Sequence, residues 1–172
     1  MSGPVSRRAL FGRRMAKAAP AGFRPPWSSR DFDTACDSCG DCIKACPESI
    51  LAGDPAGRPV LNLDQGGCTF CGDCDTACLP KGGRSAAIDR AGLAEGGRAL
   101  PLLAELGAAC ISIQGVACRL CGDPCDPRAI RFRPMVGGRV LPEISAETCT
   151  GCGVCVSACP VGALKMAPWS RA

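Results

Sequence analysis

The sequence predicts an α+β fold of two tandem small units, each built from small helices and short β-hairpins, with a basic arm in front. Three observations carry that expectation. The chain has 172 residues with sixteen cysteines and no histidine, and the cysteines fall into four sets. Three sets share the spacing C-x2-C-x2-C-x3-C: Cys36, Cys39, Cys42, Cys46; Cys68, Cys71, Cys74, Cys78; and Cys149, Cys152, Cys155, Cys159. The remaining set, Cys110, Cys118, Cys121 and Cys125, keeps the last two intervals and stretches the first. Second, Gly 22 and Pro 15 stand beside no tyrosine and only two tryptophans, so aromatic packing cannot fill much of a core. Third, charge is unevenly divided: residues 1–30 carry seven basic and no acidic side chains, leaving 13 basic and 16 acidic for the remainder.

The repeated spacing is that of the bacterial iron-sulfur run. Three thiolates two residues apart can wrap one corner of a cubane when the backbone turns tightly, and the fourth, three residues on, points away. In paired runs that fourth cysteine ligates the other cluster. The rule gives Cys36, Cys39, Cys42 with Cys78, and Cys68, Cys71, Cys74 with Cys46. It also gives Cys110, Cys118, Cys121 with Cys159, and Cys149, Cys152, Cys155 with Cys125. Four 4Fe-4S clusters are therefore expected, and at least three, in two bacterial-type two-cluster ferredoxin-like units. Structural zinc needs four ligands on one ion and does not call for a four-cysteine run repeated this way, and without histidine the mixed Cys/His sites drop out. A disulfide framework belongs to an oxidising compartment and usually to a shorter chain. Cluster binding confined to the folded state contributes directly to folding, so the clusters organise the fold.

The units follow in order. Residues 1–30 form the arm. Residues 31–80 form the first unit, with Glu48-Ser49-Ile50-Leu51 as a helical turn, a turn at 53–57, and Val60-Leu61-Asn62-Leu63 as a short strand. Residues 81–109 are a linker in which Leu100, Leu102, Leu103 and Leu106 could line a short packing helix. Residues 110–172 form the second unit: Pro127-Arg128-Ala129-Ile130 as a helical turn, Arg131-Phe132-Arg133 as a strand, a tip at 136–138, and Val140–Ile144 as the returning strand. Gly40, Gly72, Gly151 and Gly153, between cysteines, permit tight turns and amide hydrogen bonds to cluster sulfurs. Proline follows the fourth cysteine directly at Pro47 and Pro160 and one position late at Pro80 and Pro127.

The arm narrows the function classes. Ser6-Arg7-Arg8-Ala9-Leu10-Phe11 is similar to a twin-arginine export signal, but Arg13, Arg14 and Lys17 stand where an apolar stretch should follow, so a cytoplasmic location is expected. No segment reaches the roughly 18 apolar residues that span a bilayer. Phe11, Phe23 and Trp27 are too scattered for a nucleic-acid stacking platform, so no nucleic-acid partner is expected. The basic side chains Arg7, Arg8, Arg13 and Arg14 are candidates for contact with an acidic partner. With no histidine base, nucleophile motif or phosphate loop, the chain reads as an electron-transfer or accessory protein rather than an enzyme.

Ser6-Arg7-Arg8, Arg24-Pro25-Pro26-Trp27, the three regular runs, Cys118-x2-Cys121-x3-Cys125 and Ile130-Arg131-Phe132-Arg133-Pro134 together resemble the NapF family of ferredoxin-type proteins, encoded with periplasmic nitrate reductases. The resemblance spans nearly the whole chain except 81–109. It implies a polyferredoxin-type protein of the cytoplasm that interacts with the molybdoenzyme NapA before export and assists its maturation, by supplying electrons or helping assemble its cluster. It also implies cluster ligation by the twelve cysteines of the regular runs. The alternative is a general electron-transfer ferredoxin or the iron-sulfur subunit of a larger oxidoreductase, with the redox donor unknown in either case.

Overall fold

The computed structural model describes residues 22–80, 86–93 and 97–170; Arg7, Arg8, Arg13 and Arg14 lie outside the described residues. Among the described residues four one-turn helices and six short strands follow in the order α1 (Phe32–Ala35), α2 (Asp41–Ala45), β1 (Leu51–Gly53), β2 (Pro59–Leu61), α3 (Asp73–Ala77), β3 (Leu102–Leu106), β4 (Ile130–Pro134), β5 (Val140–Ile144), α4 (Val154–Ser157) and β6 (Leu164–Pro168). A single turn of helix does not hold itself in water, so these helices depend on what they pack against. All three sheets are antiparallel pairs: β1 with β2, β3 with β6, and β4 with β5.

Three expectations need correction. The turns after the fourth cysteines are shorter than predicted. Ser49 N–H bonds to the Cys46 carbonyl at 3.1 Å and Arg128 N–H to the Cys125 carbonyl at 2.9 Å, after which the chain extends. Leu51 and Ile130, expected in helical turns, instead open β1 and β4, because each is buried and gains a cross-strand partner, Leu61 and Ile144. The leucines of the linker form no helix. Leu102–Leu106 is a strand paired with β6 from Leu102↔Pro168 to Leu106↔Leu164. The apolar positions Leu100, Leu102 and Ala104 recur every second residue and are buried, and Pro101 disfavours a helix through this point. Finally, the arm boundary drawn by charge falls inside the packed region: Trp27 is 6% exposed and its N–H bonds to the Ala99 carbonyl at 2.9 Å.

The strand pairings close both units in the same way. In the second unit, β3 comes before the stretched cysteine set and β6 after the last run, so their pairing ties the ends together. A single antiparallel bridge, Ser28↔Ile88, serves the first unit, reinforced by Ser29 N–H to Ala87 O at 2.9 Å and Asp89 N–H to Trp27 O at 3.0 Å. The first core gathers Trp27, Phe32, Ile50, Leu51, Leu61, Leu63, Ile88, Leu100 and Leu102 with Cys42 and Cys74. The second gathers Ala104, Ala129, Ile130 and Leu164 with Cys125 and Cys155. Met166 packs against both.

Candidate iron-sulfur centres

Each regular run turns the chain twice within seven residues. The residue before the second cysteine has a positive φ, 59° at Ser38, 55° at Phe70 and 80° at Gly151, and so does the residue after it, 74° at Gly40, 93° at Gly72 and 77° at Gly153. Two left-handed steps bring three successive thiols to one side, and the second is always glycine, which lacks the Cβ that makes this conformation costly. α2, α3 and α4 each begin directly after that glycine.

Each gathering joins three thiols of one run to the fourth thiol of its neighbour. Cys42 has Cys78, Cys36 and Cys39 as charged neighbours. Cys46 lines one hollow with Cys68, Cys71 and Cys74. A second hollow is lined by Cys110, Cys118, Cys121 and Cys159, and a third by Cys125, Cys149, Cys152 and Cys155. These hollows hold about 340, 340 and 310 Å³ of atom-free space, solvent included. Among the described residues no group of three such side chains is arranged to hold a single metal ion. A cubane asks for something different, one cysteine at each of four irons around a hollow.

Burial is the main influence on these thiols. It pushes Cys74 up to about 12, with the charges of Cys68 and Cys71 adding to the effect, and Cys155 to about 12, with Cys152 and Cys149 adding. Burial likewise raises Cys42, Cys68 and Cys121 to about 11. Four thiolates cannot share such a space without cationic metal at the centre, and iron removes the obstacle by taking up their charge. The donor set and the space therefore fit the cluster.

Apolar walls surround the sulfurs. Trp27, Ile50, Leu51, Leu61 and Phe70 line the hollow that holds Cys46, and Leu106, Ile111, Leu120, Val161 and Leu164 line the one that holds Cys110. Backbone N–H groups of Phe70, Ile88 and Ala163 donate to the sulfurs of Cys68, Cys78 and Cys159 at 3.4, 3.4 and 3.2 Å. Such bonds, together with solvent access, tune cluster potentials. None of these three donors is a motif glycine. Nothing in the sequence marks Ile88, which sits in the stretch taken as a linker. Trp27 was legible as an aromatic residue but not as a wall of the site.

Two short-helix units that each carry paired cysteine runs around thiol-lined hollows define a ferredoxin-type iron-sulfur protein holding 4Fe-4S clusters. The family described as "4Fe-4S dicluster domain" matches residues 35–81, and "4Fe-4S binding domain" matches residues 142–165. The ferredoxin-type protein NapF of Escherichia coli K12 is 39% identical over 162 residues, 93% of each chain. That of Haemophilus influenzae is 37% identical, over 84% of this chain and 78% of its own. The methylamine utilization ferredoxin-type protein MauM of Methylobacillus flagellatus is 31% identical, over 91% of this chain and 71% of its own. The chain belongs to the NapF family of ferredoxin-type proteins. Among the described residues no helix is long and apolar enough to cross a membrane.

Proposed function

We propose that this chain is a cytoplasmic electron-carrying accessory protein that assists maturation of NapA, the catalytic subunit of periplasmic nitrate reductase, before its export. The assistance is either electron supply or help in assembling the enzyme's cluster. Four 4Fe-4S clusters sit on the four exchanged thiol sets and supply one-electron redox chemistry when bound. The observation that carries this reading is the gathering of sixteen cysteines into four sets of four, each set borrowing one thiol from its neighbour's run. Family membership adds the nitrate-reductase setting.

The chain's own residues have three tasks in this reading. The left-handed pairs at Ser38/Gly40, Phe70/Gly72 and Gly151/Gly153 aim the thiols, the apolar walls limit water, and the N–H groups of Phe70, Ile88 and Ala163 stabilise the charged sulfurs. The basic arm, with Arg7, Arg8, Arg13 and Arg14, contacts the partner. Two measurements test the proposal. Iron and acid-labile sulfide in anaerobically prepared protein should each come to about sixteen per chain, four per cluster; about twelve would remove the third set. In a pull-down with the cytoplasmic NapA precursor, the full chain should retain the precursor in a salt-sensitive way and a chain lacking residues 1–30 should lose it. Equal retention by both chains would defeat the role of the arm, and no retention by the full chain would defeat the partner.

A further inference from the structure

The two units touch through their cysteine runs. Cys68, the first thiol of the second run, donates its backbone N–H to the carbonyl of Cys152, in the last run, at 2.8 Å. A Cβ on Gly67 would lie 2.6 Å from the backbone nitrogen and Cα of Val154, and a Cβ on Gly153 would lie 2.5 Å from Cδ1 of Leu63. No real Cβ sits so close to backbone, so the two segments approach more nearly at Gly67 than a side chain there would permit. Among the described residues no other backbone hydrogen bond joins a cysteine of one unit to a cysteine of the other. The thiol of Cys68 also lies within electrostatic range of Cys46 and Cys152, one from each unit.

We propose that Gly67 and Cys152 form the junction at which electrons pass between the units, so that the second and fourth thiol sets are the inner pair and the first and third are the ends. The electron path then runs one, two, four, three, which is not the order of the sequence. With clusters bound, the chemistry would be a one-electron transfer, the centre on one side of the Cys68–Cys152 bond being oxidised as the centre on the other is reduced. No bond or proton moves, and an external one-electron donor supplies the electrons. Gly67 acts here as a positioning residue. The proposal rests on the four sets being cluster sites, but it needs only the second and fourth to be loaded.

Electron paramagnetic resonance of dithionite-reduced protein, with iron counted in each sample, tests it. A Cys39→Ala/Cys118→Ala chain keeps the inner pair and should show spin-spin splitting between its two centres. A Cys71→Ala/Cys149→Ala chain keeps the two ends and should show none. Splitting in the second chain, or its absence from the first, overturns the path. Gly67→Val added to the Cys39→Ala/Cys118→Ala chain should keep its iron and lose the splitting that this chain displays, whereas undiminished splitting with full iron overturns the junction. An iron content of about twelve, from an empty third set, would defeat the four-cluster reading while the inner pair stayed loaded and measurable.

Discussion

The first unit packs a large interior of its own, whereas the second has half as many buried core side chains and a third of those are thiols. Among the described residues the first core holds twelve buried side chains, including Trp27, Phe32 and seven large aliphatics, against six in the second, of which two are cysteines and two alanines. Trp27 meets Phe70 edge-on at 6.2 Å, and the guanidinium of Arg90 lies 5.1 Å above the Trp27 ring. Buried apolar area stabilises at about 25 cal/mol per Å², so two units of similar topology rest on different supports. The second has the smaller protein core to stand on once the iron is gone.

Chelating the iron should have the largest effect and gives the sharpest test of that contrast. Apo protein should lose amide-exchange protection completely across β4 and β5 while β1 and β2 retain a residual, slowly exchanging fraction. Equal loss in both hairpins would break the comparison. Next comes the exchange of fourth ligands. Cys125→Ala should empty the centre held by Cys149, Cys152 and Cys155 and lower iron by about four per chain. The diagnostic result is loss of the last run's signal in paramagnetic resonance; loss of the signal from Cys118 and Cys121 instead would show that each run keeps its own fourth thiol.

Trp27→Ala should cost the first unit about 3–5 kcal/mol, the range for truncating a large buried aromatic, and leave the second unit's iron in place. Denaturant unfolding followed separately by tryptophan fluorescence of Trp169 and by cluster absorbance would read both. Gly40→Ala should cost about 1–2 kcal/mol, because a Cβ there meets nothing within 4 Å and the φ of 74° supplies the only penalty. Arg119→Ala, at the matching position of the stretched set, meets no positive φ and should leave thermal stability nearly unchanged.

The smallest effect concerns Asp54. Burial pulls its carboxyl up, but the N–H of Arg58, the Arg24 guanidinium and the N–H of Ala56 outweigh it and hold the group below its usual range. A carboxyl held low contributes stability at neutral pH and loses it as pH falls below the ordinary carboxylate value toward the lowered one. Asp54→Asn should therefore flatten the acid limb of the first unit's stability curve and leave that of the second unchanged, as acid titration of each unfolding transition would show.

The cysteine sets were legible because their spacing is local. Seven residues with two left-handed turns determine where three thiols point, and the exchanged fourth ligand follows from pairing. The β3–β6 sheet was not legible, since Leu102 and Pro168 come together over a separation that no short window covers. Leu100, Leu102, Leu103 and Leu106 also fit a helical stripe until Leu164 and Met166 arrive as partners. Charge misplaced the arm's end for a related reason. Arg24 counts as one more cation in the sequence, but in the fold it bonds Asp33 at 2.7 Å and Asp54 at 3.1 Å and covers Phe32 at 5.0 Å.

The exposure of the thiols runs opposite to the strength of the cores. Cys39 and Cys71, both in the better-packed unit, are exposed, while no cysteine of the second unit is. Oxidants and alkylating reagents act on thiols they can reach. Air should therefore strip the first unit before the second, and damage would begin in the half whose protein core can hold the vacated site open for repair.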